Sequence, residues 1–244
     1  MKTSVLSIEG EMLKEIEMPS FFSVPVRKDL INRAFVAERS RERKPYGAYK
    51  GAGKRHAVSS WGVGRGVSRI PRLTGSSRAA FVPQAVGGRR AHPPKVEKSL
   101  ALKINRKEYR KALHSALAAT ARPELISLRG HRFDERVSFP LVVEDAFESL
   151  DKTKEVTKAL LALGVYDDVL RAFEGRKKRK DGYRIPKSIL IVSSRGPKGA
   201  KNITGIDIRA PKDLKISDVA PGGVGGRLII YTESAVEGLR RLEK

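Results

Sequence analysis

Ten cations, Lys50, Lys54, Arg55, Arg65, Arg69, Arg72, Arg78, Arg89, Arg90 and Lys95, recur through a segment that also holds Tyr46, Tyr49, Trp61 and Phe81. The combination suits a polyanion. Lys and Arg displace condensed counterions from a phosphate backbone, and aromatic rings with guanidinium planes stack on unpaired bases. The segment runs 53 residues from Arg43 to Lys95 with twelve Lys or Arg, nine Gly and no Asp or Glu. Such a run cannot bury enough apolar surface to offset its ordering entropy, so it is expected to order on an anionic partner rather than alone. Its glycines let the main chain approach RNA closely. Pro71, Pro83, Pro93 and Pro94 favour extended backbone over helix.

Other chemistry is weaker. In YKGAGKRH, Ala48 stands where a Walker loop needs its first glycine, and Arg55 stands where it needs the magnesium-binding hydroxyl. Gly62, Gly64 and Gly66 lack the dinucleotide spacing and a preceding strand. RGPKGAKN, at the end of a predicted ILIVSS strand, is the better phosphate cradle, without any fingerprint spacing. His56, His92, His114 and His131 show no metal-ligand spacing and no cysteine assists them. Glu144, Asp145 and Glu148 follow a predicted strand and read as caps or solubilising charge rather than acid–base catalysts, and Asp167 and Asp168 read the same way. Ser193 and Ser194 lack a nucleophile elbow. No catalytic residue, metal or cofactor is expected.

The elements that must carry the basic segment are legible on either side of it. Of 50 basic residues, twelve lie in the acid-free stretch, leaving 38 against all 27 acidic ones. The charge asymmetry is therefore local, and with a net charge of +23 it favours a polyanion over a small acidic substrate. A 244-residue chain that is 40% hydrophobic suffices for a sizeable core. MKTSVLSIEGEMLKE lacks the apolar centre of a signal peptide, and no apolar run approaches the roughly 18 residues that span a bilayer. A soluble, cytoplasmic chain is expected.

TSVLSI and the alternating MLKEIEM predict a strand or hairpin edge ended by Pro19. Leu30, Ile31, Ala34 and Phe35 predict an amphipathic helix ending near Pro45. Asn105 is a good N-cap for a helix whose apolar stripe is Tyr109, Ala112, Leu113, Ala116, Leu117 and Thr120, ending before Pro123. Arg106, Lys107, Arg110 and Lys111 on its other face are a solvated surface or an extension of the RNA-facing one. FPLVVED, SILIVSS, GIDIRA and GRLIIYTES predict strands, interleaved with a helix through Val156, Ala159, Leu160 and Leu163 and a final helix. The continuous apolar runs suit parallel strands covered on both faces. The expected fold is α/β: a three-layer, doubly wound, Rossmann-like single domain with a long extended basic loop inserted after the first long helix. The body comprises residues 1–43 and 100–244, and the loop residues 44–99. The run Arg176 to Lys180 is either a solvated loop or a second phosphate contact.

VLSIEGE, RKDLINRAFVAERS, GAGKRHAVSSWGVGRGVSRIPRL, GGRRAHPPK, RGHRF, KSILIV and APGGVGGRLIIYTESA together cover nearly the whole chain. In these motifs the chain resembles the universal large-subunit ribosomal protein family numbered four, in its archaeal and eukaryotic form, and its length resembles the archaeal members. The resemblance implies a globular α/β domain and a loop that penetrates the large-subunit, 23S-type ribosomal RNA. It implies binding early in assembly, and a loop tip that lines the nascent-peptide exit tunnel opposite another large-subunit protein. By motif matching the tip falls near Gly62–Leu73, with Gly62, Gly64, Arg65, Gly66, Arg69 and Arg72 at the tunnel constriction. Lys54, Arg55, Arg89, Arg90 and Lys95 then hold the stem, and Lys50, Trp61 and Arg78 complete the RNA-binding set. Other large-subunit proteins are expected partners, while a membrane and a homo-oligomer are not. The rival readings are an α/β enzyme acting on RNA with a basic substrate arm, and a general nucleic-acid compaction protein.

Overall fold

Residues 189–192 (ILIV) and 228–231 (LIIY) are buried throughout, and they form the centre of the sheet. The computed structural model describes residues 1–241. In chain order its elements begin with strands β1 (Lys2–Leu6) and β2 (Met12–Glu17) and helix α1 (Lys28–Arg41), followed by short strands β3 (Val58–Ser59) and β4 (Arg72–Leu73). Helices α2 (Arg106–Thr120) and α3 (Pro123–Leu128), strand β5 (Leu141–Val143), and helices α4 (Thr153–Ala162) and α5 (Tyr166–Glu174) come next. Strands β6 (Lys177–Arg179), β7 (Gly182–Arg184), β8 (Leu190–Val192) and β9 (Asp207–Arg209) precede α6 (Ile216–Val219), β10 (Ile229–Thr232) and α7 (Glu233–Arg240).

The main sheet is mixed, with strand order β2-β1-β5-β10-β8-β9. β1 pairs antiparallel with β2, and every other pairing in the sheet is parallel. Because side chains alternate across a strand, each apolar run feeds two cores. Val5, Val142, Leu190, Val192, Ile229 and Tyr231 join one cluster with Ile31 and Ala34 of α1, Leu117 of α2 and Val236 of α7. Leu141, Val143, Ile189, Ile191 and Ile230 join the other with Ile126 of α3, Val156 and Leu160 of α4 and Val169 of α5. Full burial of one such aliphatic side chain stabilises by about 1.5–3 kcal/mol, so two filled faces explain why these strands are continuous in hydrophobicity.

Two helices bound the basic excursion, and each follows from local chemistry. Asn105 accepts the Lys107 N–H at 2.9 Å, an N-cap that starts α2. α1 carries Asp29 in its first turn, where the helix dipole favours an acid, and buries Ile31, Ala34, Ala37 and Ser40. The Ser40 hydroxyl donates to the Ala37 carbonyl and accepts the Leu102 N–H at 2.9 Å, fastening the two ends of the excursion together. The chain packs as two compact units, Met1–Ser40 with the chain from Leu102 onward, and Arg41–Ala101.

Two readings of the sequence need correction, and one helix adds to them. The basic run Arg176 to Lys180, expected as a solvated loop or a second phosphate contact, lies in an antiparallel hairpin of β6 and β7 rather than a loop; its cationic residues show no apolar alternation by which a strand would be recognised. α3 begins with Pro123 at its first turn, so the proline that ends one helix starts another. Asp168, read as a cap or solubilising charge, is fully buried and serves as the hub of a polar network.

Candidate nucleic-acid interface

Ala80 is the only residue of Arg41–Ala101 classed as buried, so this unit has no hydrophobic core. Main-chain pairing holds it instead. The outgoing and returning limbs meet where the Ala48 N–H donates to the Pro94 carbonyl at 3.0 Å. They also meet at Gly53, where a Cβ would fall 2.5 Å from the Gly88 carbonyl oxygen. Beyond this stem, β3 and β4 pair antiparallel, the Thr74 N–H donates to Ala57 and the Ala80 N–H to Pro71. The 3.4 Å bond from the Ser60 hydroxyl to the Arg69 carbonyl ties the strands' distal end. Gly62, Gly64 and Gly66 have φ of 77°, 84° and 65°, and nothing lies within 4 Å of where a Cβ would sit on any of them. Their glycine requirement is therefore one of backbone conformation.

The candidate cations divide into two groups. Lys50, Lys54, Arg65, Arg69, Arg78, Arg90 and Lys95 are exposed and Arg89 is half-buried. Lys50, Lys54, Arg89, Arg90 and Lys95 line one groove of the stem with Tyr49, Pro93 and Pro94. Arg72 and Arg55 are engaged within the unit. The Arg72 guanidinium lies 5.1 Å over the Trp61 ring and donates to the Ser77 and Ser68 carbonyls. Arg55 lies 4.6 Å over Tyr49 and donates to its hydroxyl. These two shape the unit, leaving the other cations to present charge. Trp61 is 37% exposed, so one face remains for stacking while Arg72 covers part of the ring.

In the unit that contains the sheet, the place where an α/β fold usually binds a ligand is the crevice beyond the carboxyl ends of the strands. Here the protein's own carboxylates occupy it. Glu148 accepts the N–H groups of Ser194 and Arg195, just beyond β8, at 2.8 and 3.1 Å. It also accepts the hydroxyls of Thr232 and Ser234 at 2.7 and 2.9 Å. Burial works against its charge, but these donors hold its carboxyl below the usual range. Asp145 accepts the Ser234 N–H at the start of α7, and Glu144 accepts the Ile8 N–H. The capping role read from the sequence is thus exercised on neighbouring elements. The main-chain donors at the start of RGPKGAKN are already satisfied by a carboxylate.

Two buried ionic clusters were not legible in the sequence. Asp168 accepts from His131 Nδ1 at 2.9 Å, the Ser188 hydroxyl at 2.6 Å, the Arg132 N–H at 3.1 Å and Arg171 Nε at 2.8 Å. Ser188 is directed to the carboxylate and not to the imidazole, so Ser188, His131 and Asp168 lack the order of a hydrolytic triad. Burial raises the Asp168 pKa, but His131 and Arg171 outweigh it and hold it below the carboxylate range. Burial lowers the His131 pKa against the opposing pull of Asp168. Both shifts have one sign for stability. A histidine depressed in the folded state costs stability as pH falls through its unfolded value near 6.5, and a depressed aspartate does so below its own near 3.9. The midpoint of thermal unfolding is therefore expected to drop between pH 7.5 and 5.5 and again towards pH 3.5. An unchanged midpoint over the first interval would refute the depressed histidine. The second cluster centres on Arg227, fully buried, with its Nη2 2.6 Å from Asp207.

Among the described residues no group of three or more His, Cys, Asp or Glu is placed to hold a metal ion, and no helix is long and apolar enough to cross a membrane. The family model of the ribosomal protein L4/L1 family matches residues 16–242. The chain belongs to that family. It is 49% identical to the large ribosomal subunit protein uL4 of Methanospirillum hungatei over 247 residues, covering 98% of each chain. It is 48% identical to uL4 of Methanoregula boonei over 97% of this chain and 98% of that one. With uL4 of Thermoplasma acidophilum the identity is 43% over 100% and 99%. These relatives are archaeal, as are the members of the family whose length the chain resembles. For a member of the L4/L1 family, a unit of 61 residues without a hydrophobic core calls for a partner outside the chain to account for it.

Proposed function

We propose that this chain is a structural, non-enzymatic constituent of the large ribosomal subunit that binds large-subunit ribosomal RNA through the Arg41–Ala101 unit. The ribosomal role follows from the family and from relatives named for that subunit over nearly their whole length, and it places the protein in the cytoplasm with the ribosome. The observation that carries the RNA reading is an acid-free segment of twelve cations and nine glycines held by main-chain bonds around a single buried alanine. Phosphates supply the counter-charge that the segment lacks, and their neutralisation offsets the entropy of ordering it.

In this reading residues 1–43 and 100–244 are a doubly wound body and residues 44–99 the RNA-penetrating loop. Gly62, Gly64, Arg65, Gly66 and Arg69 lie at the tip lining the exit tunnel, opposite a second large-subunit protein. Lys50, Lys54, Arg78, Arg89, Arg90 and Lys95 contact backbone phosphates. Trp61 offers a stacking face, and Arg72 and Arg55 position the loop while adding charge. The self-capped crevice at Glu148 argues against the alternative of an RNA-acting enzyme, whose cofactor or substrate phosphate would need the donors that Glu148 takes.

The test is sedimentation of a cell lysate through a high-salt sucrose gradient, followed by crosslink mapping. Recovery in the large subunit, with Arg65 to Arg72 crosslinked to its RNA, is the expected result. A chain left at the top of the gradient would overturn the reading.

A further inference from the structure

β2 is the longest strand of the main sheet, with six residues, and no strand lies beside its outer edge. The ladder fixes which groups face outward there. The Met18 N–H donates to the Met1 carbonyl at 2.9 Å, and bonded and non-bonded pairs alternate along an antiparallel ladder. Thr3–Ile16 and Val5–Lys14 therefore exchange the bonds, whereas Lys2–Glu17 and Ser4–Glu15 do not. The main-chain groups of Glu15 and Glu17 point away from β1. Arg240 takes the Glu17 carbonyl at 2.8 Å, which leaves the Glu15 N–H and carbonyl and the Glu17 N–H open to an incoming strand. Every side chain of β2 except Ile16 is exposed.

The charge along this edge is opposite to that of the chain. From Glu9 to Glu17 four of nine residues are acids, in a chain of net charge +23. Among the described residues none of the four has an ion pair, and the one cation among them, Lys14, is held by Glu233 at 2.5 Å. Proteins commonly blunt an open edge with charge. Here the charge is selective. A second β2 would set acid against acid, and phosphates are repelled, whereas a cationic strand is attracted. We propose that the β2 edge docks an extended lysine- and arginine-rich segment of another protein, which adds to the sheet as a further strand. Main-chain bonds supply the affinity, and cross-strand pairs with Glu15 and Glu17 supply the preference for cations. The register shift after Val5 bounds the regular edge at one end and Arg240 at the other, so the docked segment is short. This contact goes beyond the RNA reading above and does not depend on it.

The experiment uses the full chain and a short synthetic peptide in which lysine alternates with valine. Slower hydrogen exchange at the Glu15 and Glu17 amides when the peptide is added, read residue by residue by NMR, is the expected result. Changing Glu11, Glu15 and Glu17 together to Gln should weaken peptide binding about tenfold through the lost cross-strand charge pairs. The variant should fold, because all three side chains are exposed. The same peptide N-methylated throughout keeps its charge but loses its main-chain donors, and it should leave both amides unprotected. Equal affinity for the N-methylated peptide would reduce the contact to charge attraction and overturn the proposal, as would unslowed exchange at the two amides. A chain that sediments as a dimer with these amides already protected would assign the edge to a second copy, and their protection by a ribosomal RNA transcript would assign it to RNA. Either result also overturns the proposal.

Discussion

Replacing Lys54, Arg65, Arg69, Arg78, Arg89 and Arg90 together with glutamine is expected to lower affinity for large-subunit ribosomal RNA on the order of a thousandfold near physiological salt. Each phosphate contact contributes about 0.7–0.9 to the slope of log affinity against log salt, so six lost contacts remove about 4 to 5 from it. The loop itself should keep its shape. Its pairing is main chain to main chain, at Ala48–Pro94, Thr74–Ala57 and Ala80–Pro71, and the Arg72–Trp61 contact is left untouched. Stability of the unit built on the sheet should not move either, because both hydrophobic clusters lie outside residues 41–101. Filter binding at several salt concentrations, beside urea unfolding, separates these effects. A slope unchanged by six neutralised cations would mean that the segment is not a phosphate-binding surface.

Arg72→Leu provides the contrast within this first prediction. Its guanidinium bridges the Ser77 and Ser68 carbonyls and covers Trp61, so its loss acts on loop geometry as well as charge. The affinity lost should exceed that for Arg65→Leu, whose side chain is exposed, while the slope changes equally for both.

Why some of this was legible and some was not follows from the range of the interactions. The runs 189–192 and 228–231 announce buried strands because apolar continuity is a local property. Asn105 announces a helix start because its acceptor lies two residues away. The basic segment is legible from composition alone. Asp168, by contrast, looks like an ordinary acid in the first turn of α5, and only the fold brings His131 and Ser188 to it from 37 and 20 residues away. Arg72 reads as one cation among twelve until β3 and β4 pair and set it over Trp61. The β6–β7 hairpin is hidden for another reason. With a register that opposes Lys177 to Arg184, it goes against the cross-strand preferences by which hairpins are recognised.

Arg227 is the residue on which the largest loss of stability is expected, and nothing in GGRLIIY distinguishes it from a solvated strand-edge cation. It is fully buried. Nε donates to the Ser188 carbonyl at 2.8 Å, Nη1 to the Asp218 carbonyl at 2.7 Å, and Nη2 to Asp207 at 2.6 Å. The fork thus joins the residues leading into β8 and β10 to β9 and α6. Burial lowers its pKa, against the opposing effect of Asp207. Arg227→Met keeps much of the volume but leaves the buried carbonyls without a donor and weakens the compensation of Asp207. Breaking a buried pair on one side costs about 3–5 kcal/mol, a large share of the roughly 5–15 kcal/mol that holds a typical domain. Arg227→Lys should recover only part of this, since one ammonium cannot reproduce a planar fork with three divergent acceptors. Adding Asp207→Asn to Arg227→Met should cost less than the sum of the two changes, because the second removes the charge that the first left exposed to a poor environment. Lys187, 2.9 Å from Asp207, bounds that recovery by retaining part of the pairing in the single variant. Urea unfolding of the four chains measures the coupling directly. A loss below about 1 kcal/mol for Arg227→Met, the range of an exposed ion pair, would show that the buried fork is not what fastens these strands.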